Sequence, residues 1–273
     1  MKLIDFDGRF QEHLRLWMRA NQKKYKNVDE MEALMPELYT RWLNEPADWL
    51  EGEKPGFYFD RLEDPAQLIA WMRAYMQGSV PVPGQLLDRI SALGEAAAEF
   101  LTALAGEEGA SHEERMTAIG LLREIESERP KALYLSMLKQ AERPDELIES
   151  ALESLKAMRG VLEPCLGLIA GASPAMREAL ADLLCEYPGD ERVLAFLAEE
   201  FASSKKKALY ASFLGKLGDE RALPALERAA GDPALNYLDF IEISGAILTL
   251  GGDAPPEREF SGDPYYESLK NSE

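Results

Sequence analysis

The stretch LGDERALPALERAAGDP at residues 217–233 decides the fold of this 273-residue chain. It contains the tetrapeptide Gly-Asp-Glu-Arg at 218–221, and the same tetrapeptide occurs at 189–192, a spacing of 29 residues (218 − 189 = 29). An apolar helical pattern follows each copy. A fixed period of about 20 to 50 residues built from paired helices is typical of α-solenoids. The repeat therefore predicts an all-α chain organised as an α-solenoid.

The second copy shows the predicted repeat unit in full. A first helix over 220–230 is followed by a turn at 231–233, where glycine favours a helix end and proline cannot continue the helix. A longer second helix is predicted over 236–250. Its apolar residues have the 3, 4, 3 spacing of one helical face, and they are Phe240, Ile243, Ile247 and Leu250. Gly-Gly-Asp at 251–253 ends this second helix.

Residues 217–253, which run from LGDERALPALERAAGDP to AILTLGGD, resemble HEAT repeats, in particular the short bacterial HEAT-like type. The resemblance implies protein–protein interaction through a concave face that is lined mainly by the second helix of each pair. Some HEAT-like proteins are enzymes instead, either bilin lyases, which need an apolar ligand pocket, or DNA glycosylases, which need a basic groove. A structural subunit of a larger assembly is a third alternative.

Further helix pairs are predicted upstream, with first helices that start near residues 95, 130, 161, 190 and 219. They indicate about five HEAT-like pairs in a repeat domain over 81–252. Val-Pro-Val-Pro at 80–83 predicts an extended linker, because a proline restricts the residue before it to extended conformations.

Residues 1–80 contain all four tryptophans of the chain and resemble no characterised family. Amphipathic patterns predict a helix around Phe10 to Met18, a second pattern over 28–43 that breaks or restarts at Pro36, and a third helix over 67–76. Because a repeat array needs an atypical covering element at its end, this segment is predicted to be a helical N-terminal cap.

The acidic tail over 253–273 carries Phe260, Tyr265 and Tyr266. These aromatic side chains favour a tail that folds back on the last repeat. Free disorder and a short recognition motif are the two alternatives, since chain ends are loose unless they are tied down.

The net charge of −19 arises from 30 basic and 49 acidic residues, and acidic residues exceed basic ones in every segment of the chain. Residues 1–80, for example, contain 11 basic and 14 acidic side chains. Proteins bind nucleic acid non-specifically by neutralising phosphates with lysine and arginine, so an evenly acidic chain disfavours nucleic acid and, likewise, anionic membranes. It favours a protein or peptide partner of basic or mixed charge.

Three features predict a cytoplasmic protein. No stretch approaches the 18 or so apolar residues of a transmembrane helix, and Met1 to Asp5 lack the apolar region of a secretory signal. Two cysteines do not make a disulfide framework.

Few residues offer catalytic chemistry. Cys165 and Cys185 lie on the two helices of one predicted pair and are interpreted as core residues, with a redox pair or metal site as the alternative. His13 and His112 are the only histidines; His112 follows Ser111 at a predicted helix start, and a Cys165–His112 catalytic pair is the functional alternative.

Two lysine groups, Lys23, Lys24 and Lys26 around Tyr25, and 205–207 at a helix start, are interpreted as solvated surface with a phosphate patch as the alternative. The sequence contains no glycine-rich phosphate loop. It therefore predicts no catalytic, cofactor-binding or metal-binding residue, and it favours a protein without catalysis of its own.

The aromatic residues of the loop over 46–65 are the candidates for partner binding. They are Trp49, Phe57, Tyr58 and Phe59. Aromatic side chains on a loop are typical anchors of protein interfaces, but the same residues could instead close the end of the hydrophobic core. Together with the repeat pattern, they lead to the hypothesis of a protein–protein interaction scaffold of undetermined oligomeric state.

Overall fold

The computed structural model describes residues 3–25 and 27–270. These residues form helices joined by turns and loops, and no strand occurs among them. The predicted all-α class is therefore confirmed. None of the helices in the described ranges combines the length and apolarity that crossing a membrane requires.

Contacts divide the chain into two compact units, Met1–Leu133 and Tyr134–Glu273, and the division falls within helix α8. Unit 1 contains α1 (Phe6–Asn21), α2 (Val28–Glu32), α3 (Met35–Asn44), α4 (Pro65–Gln77), α5 (Gly84–Ala92), α6 (Glu95–Gly106), α7 (His112–Glu124) and the start of α8 (Lys131–Gln140). Unit 2 contains the rest of α8, α9 (Glu146–Lys156), α10 (Leu162–Ile169), α11 (Pro174–Leu184), α12 (Glu191–Ser203), α13 (Lys207–Leu217), α14 (Leu223–Ala230), α15 (Tyr237–Thr249) and α16 (Pro264–Lys270). Short 3₁₀ turns occur at Gln22–Lys24, Asp48–Leu50, Pro55–Phe57 and Glu220–Ala222.

Polar side chains start most of these helices, because the first backbone N–H groups of a helix need an acceptor outside it. Ser111 accepts a hydrogen bond from the Glu114 N–H at 3.2 Å, and the Glu114 carboxylate accepts one from the Ser111 N–H at 2.8 Å. This reciprocal capping box starts α7, at the helix start that the sequence predicts after Ser111. Pro36 lies in the first turn of α3, where a proline costs no hydrogen bond.

The core of unit 1 forms where α4, α5, α6 and α7 pack together. Its fully buried side chains are Phe59, Leu68, Met72, Tyr75, Leu86, Ile90, Leu101, Ile119 and Leu122. The Tyr75 hydroxyl donates to the carbonyl of Ile4 at 3.1 Å and accepts from its N–H at 3.2 Å. This pair of bonds ties the segment before α1 to the core.

Helices of unit 2 pack in sequence, α12 on α13, α13 on α15 and α14 on α15. Their fully buried side chains include Leu180, Leu184, Val193, Leu197, Leu214, Leu226, Ile243 and Ile247. The predicted apolar face of α15 is confirmed, since Phe240, Ile243, Ile247 and Leu250 are all buried.

The two Gly-Asp-Glu-Arg copies make similar contacts. Arg192 donates to Asp190 at 2.7 Å and to Glu163, 29 residues earlier, at 2.7 Å. Arg221 donates to Asp219 at 2.6 Å and pairs with Glu191, 30 residues earlier, at 3.4 Å. Each arginine thus links its own helix start to an acid in the first turn of a helix one period before it, which gives the sequence repeat a physical basis.

The tail packs on α15, as its aromatic residues predict. Phe260 is buried, with its ring centroid 5.1 Å from Phe240 and 5.3 Å from Tyr237. The Arg258 guanidinium lies over both Phe240 and Phe260, at 4.9 and 4.6 Å from their ring centroids. Residues 271–273, which the sequence analysis includes in the tail, lie outside the described residues.

Two helices, α5 and α16, lie where the sequence analysis predicts none. α5 begins at Gly84, directly after the proline-rich segment, and it packs against α4 and α7. The extended segment before it is therefore short, and helices on both sides of residue 80 belong to unit 1. The division into a cap over 1–80 and a repeat domain over 81–252 stays a prediction, because compactness does not decide which helices are repeats.

Candidate functional site

Three of the four candidate aromatic residues pack around Phe6, the first residue of α1. The ring centroid of Phe6 lies 5.8 Å from that of Trp49, 5.5 Å from Tyr58 and 5.9 Å from Phe59. Phe59 is fully buried, and its ring also meets the ring of Trp71 edge to face at 5.9 Å. Trp49 and Tyr58 are half-buried. These contacts are those of a core closed by aromatic rings.

Phe57 differs from its neighbours because 53% of its side chain is exposed. It lines a surface cleft of about 400 Å³ together with Glu53, Lys54 and Arg61. The Lys54 ammonium lies 5.8 Å from the Phe57 ring centroid. We name this surface the Phe57 cleft.

Two charged side chains that line the Phe57 cleft form an ion pair. Arg61 pairs with Glu53 at 3.1 Å, and its guanidinium lies 4.6 Å from the Tyr58 ring centroid. The cleft therefore offers an aromatic surface beside two cations and one carboxylate. Such a surface can bind an apolar side chain that is flanked by charges of both signs. The sequence analysis did not identify Lys54 and Arg61 as site residues, because their distance from the aromatic rings depends on how the loop over 46–65 folds.

The cysteines are core residues, as predicted. Cys165 and Cys185 are 0% and 4% exposed, and burial raises the pKa of both thiols to about 12. The Cys185 Sγ donates to the carbonyls of Ala181 at 3.1 Å and Phe213 at 3.3 Å. A buried thiol that stays protonated is a poor nucleophile and a poor metal ligand.

The histidines and lysines have local contacts. His13 stacks on Phe10, with ring centroids 6.5 Å apart, and His112 is the first residue of α7. No group of three or more metal-ligating side chains occurs within residues 3–25 and 27–270. Lys24 donates to Asn21 at 2.9 Å, Lys206 pairs with Glu178 at 2.6 Å, and Lys26 lies outside the described residues.

Unit 2 carries a second surface that the sequence analysis missed. α15 buries one face, but Leu238, Ile241 and Leu248 are 48%, 44% and 55% exposed. With the exposed Gly245 they lie at positions i, i+3, i+7 and i+10 of the helix, which is a single stripe opposite the buried face. We name this stripe the open face of α15. The signal was present in the sequence, since a helix that is apolar all round is expected to be covered on every side.

No protein-family model matches this chain, and no curated protein sequence matches it.

Proposed function

We propose that this protein is a non-catalytic scaffold that binds a partner protein through exposed apolar side chains on a rigid helical frame. The observation that carries the proposal is Phe57, whose ring is exposed while the neighbouring ring of Phe59 is fully buried. Buried neighbours hold the loop, so a partner can dock without the cost of ordering it.

The same proposal includes the architecture. The similar ion pairs of Arg192 and Arg221, to acids 29 and 30 residues earlier, support helix pairs that repeat with a period near 29 residues, as in the HEAT-like α-solenoids that residues 217–253 resemble. Helix pairs of that kind present extended surfaces for proteins.

A partner of basic or mixed charge fits the scaffold best. The chain as a whole is acidic, while the Phe57 cleft itself combines Glu53 with Lys54 and Arg61. Charges of both signs around an apolar anchor favour a partner segment of mixed charge.

The test compares affinity capture by the wild-type chain and by Phe57→Ala, with bound proteins quantified by mass spectrometry. We expect Phe57→Ala to reduce the amount of a captured partner protein by about tenfold or more, since truncating an interface anchor costs about 2 kcal/mol of binding free energy. Leu16→Ala is the matched control, because Leu16 is 61% exposed and lies outside the cleft. Identical capture by all three chains would overturn the role of Phe57.

A further inference from the structure

We infer that the open face of α15 binds an amphipathic α-helix of a partner protein, with lysine or arginine residues beside the apolar residues of that helix. The inference rests on the proposed scaffold function and assigns a second docking surface to it. Four properties of unit 2 carry the argument: the incomplete cover of α15, the glycine on its open face, the apolar side chains around that glycine, and the charge of its surroundings.

α16 covers α15 only in part. The Asp239 carboxylate at the start of α15 accepts a hydrogen bond from the Ala208 N–H in α13 at 2.8 Å. The Asp263 carboxylate at the start of α16 accepts one from the Tyr237 N–H in α15 at 3.0 Å. The contact between the start of α16 and α15 therefore repeats the contact between the start of α15 and α13.

The described part of α16, Pro264–Lys270, contacts the start of α15. The rings of α16 meet the first turn of α15, with the Tyr266 ring centroid 4.9 Å from that of Tyr237. Ile241, Gly245 and Leu248 lie further along α15 and remain exposed.

Gly245 points to a helix as the occupant. On the inner side of α15, a Cβ at Gly215 would lie only 3.3 Å from Ala246, so α13 and α15 approach closely through small residues. On the outer side, the Cβ position of Gly245 has no atom within 4 Å. A glycine between Ile241 and Leu248 offers a second helix the same close approach, because the residues at the crossing set the distance between helices.

The apolar stripe matches helix-in-groove recognition, in which anchors at positions i, i+3 and i+7 meet the apolar face of another helix. Leu238, Ile241 and Leu248 supply three anchors at positions i, i+3 and i+10, Gly245 lies at i+7, and the exposed Glu242 follows Ile241. Burial of each exposed leucine or isoleucine favours binding because it removes apolar surface from water.

Charge decides between a second copy of the chain and a different partner. Between Tyr237 and Lys270 two basic residues occur, Arg258 and Lys270, and the Arg258 guanidinium is already stacked on Phe240 and Phe260. The same segment has seven carboxylates, which are Asp239, Glu242, Asp253, Glu257, Glu259, Asp263 and Glu267. A second copy would bring the same acidic excess to the interface, whereas lysine or arginine on a partner helix complements the exposed Glu242 of α15 and the net negative charge of the chain.

The test uses a fluorescent synthetic peptide of about 18 residues, or five helical turns. It has leucines on one face, alanine at the centre of that face and lysines on both flanks. Binding to the full chain is followed by anisotropy at about 0.05 and about 0.5 M salt, between which the screening of exposed charges rises steeply. We expect saturable binding that weakens as salt rises, and much weaker binding of the same peptide with glutamate in place of lysine.

Three variants locate the site. Ile241→Gln combined with Leu248→Gln removes the anchors, and we expect a loss of affinity of about tenfold or more. Leu16→Gln in unit 1 is the matched control and leaves binding unchanged. Gly245→Gln separates binding from folding. It replaces glycine in a helix interior by a better helix former, so the helix is retained, yet it blocks the close approach and weakens binding.

Three results would overturn the inference: no binding of the lysine peptide, equal binding of the glutamate peptide, or equal binding by the double variant. A wild-type dimer in sedimentation velocity that Ile241→Gln with Leu248→Gln dissolves would identify a second copy as the occupant and also overturn it. The scaffold function itself fails separately, since the Phe57→Ala capture measures another surface.

Discussion

At the scale of single residues, Glu114 links the helices of unit 1. It is a buried charged residue, with 3% exposure. Its carboxylate accepts from Arg73 at 2.9 Å, from Gln77 at 3.2 Å and from the Ser111 N–H at 2.8 Å. Burial works to raise the pKa of Glu114, but these hydrogen bonds outweigh it and lower the pKa below its ordinary value of 4.5. A buried carboxylate with this many donors stabilises the folded chain.

We therefore expect Glu114→Ala to lower the free energy of unfolding by about 2 to 3 kcal/mol, through the lost cap and the lost charged hydrogen bonds. Glu113→Ala is the control, because Glu113 is exposed in the same turn and its loss costs about 0.5 kcal/mol or less. Denaturant titrations measure both changes. Equal losses in the two variants would contradict the role of Glu114.

The stability of the wild-type chain should also depend on pH through Glu114. Because the folded-state pKa is lowered, the ionised Glu114 stabilises the wild-type chain fully above pH 4.5, and this stabilisation is lost as pH falls through the lowered pKa.

The buried thiols give a second prediction at this scale. Cys165 and Cys185 have pKa values raised to about 12 from an ordinary value near 9. Their stabilising contribution is therefore fully present below pH 9 and is lost as pH rises towards 12, because the unfolded chain ionises first. A thiol reagent at neutral pH should label the native chain slower than the unfolded chain by about two orders of magnitude or more, since opening a core helix costs several kcal/mol. Rapid native labelling at either position would show that a thiol is accessible.

At the scale of helices, the helix caps and turns could be predicted from the sequence. Gly189 and Gly218 have φ angles of 84° and 72°, a conformation that glycine adopts readily, and both precede a predicted helix start. Helix α5 could not be predicted from the sequence, because the prolines at 81 and 83 favour an extended segment and Gly84 is a poor helix former. The Pro83 carbonyl nevertheless accepts from the Leu86 N–H at 3.0 Å, and the burial of Leu86 and Ile90 stabilises the helix.

The same contrast holds for the candidate sites. The four loop aromatics could be chosen from sequence, but their exposure could not, because Phe57 and Phe59 differ only in how the chain turns between them. The apolar residues on both faces of α15 could be identified from the sequence, whereas which of the two faces is buried depends on tertiary packing. Local chemistry is encoded in the sequence within a few residues, while burial is decided by distant partners.

The tail provides the prediction at the element scale. Phe260→Ala should lower the free energy of unfolding by about 3 kcal/mol, because its ring is buried against Tyr237 and Phe240. Tyr265→Ala is the control, since Tyr265 is 47% exposed and its truncation costs less than about 1 kcal/mol. Thermal unfolding followed by circular dichroism measures the difference. Equal stability of Phe260→Ala and the wild-type chain would mean that the tail does not pack on α15 in solution.

At the scale of the whole molecule, charge is the dominant property. Several basic side chains already pair with carboxylates of the chain: Lys216 contacts Asp182 at 2.8 Å, Lys156 contacts the same Asp182 at 2.7 Å, and Lys206 contacts Glu178 at 2.6 Å. Because acidic residues exceed basic ones by 19 (49 − 30 = 19), these pairs leave a surplus of carboxylates over the whole chain. Such a surplus repels polyanions and attracts cationic segments over about one Debye length, roughly 8 Å at physiological salt.

We therefore expect no measurable binding to nucleic acid. Non-specific binders reach dissociation constants of about 10⁻⁴ to 10⁻⁶ M at physiological salt by releasing counterions from phosphates, and each phosphate must meet a lysine or arginine to do so. The lysines at 206 and 207 are engaged instead with Glu178 and with the carbonyls of Phe201 and Ala202. The measurement is a titration with a mixed-sequence DNA duplex and with an RNA strand at about 0.15 M salt, repeated at about 0.05 M, where phosphate contacts strengthen. Micromolar binding with an affinity that increases as salt falls would reveal a basic groove, and it would favour the glycosylase-like alternative over the scaffold. The absence of binding at both salt concentrations would agree with a partner that is a protein.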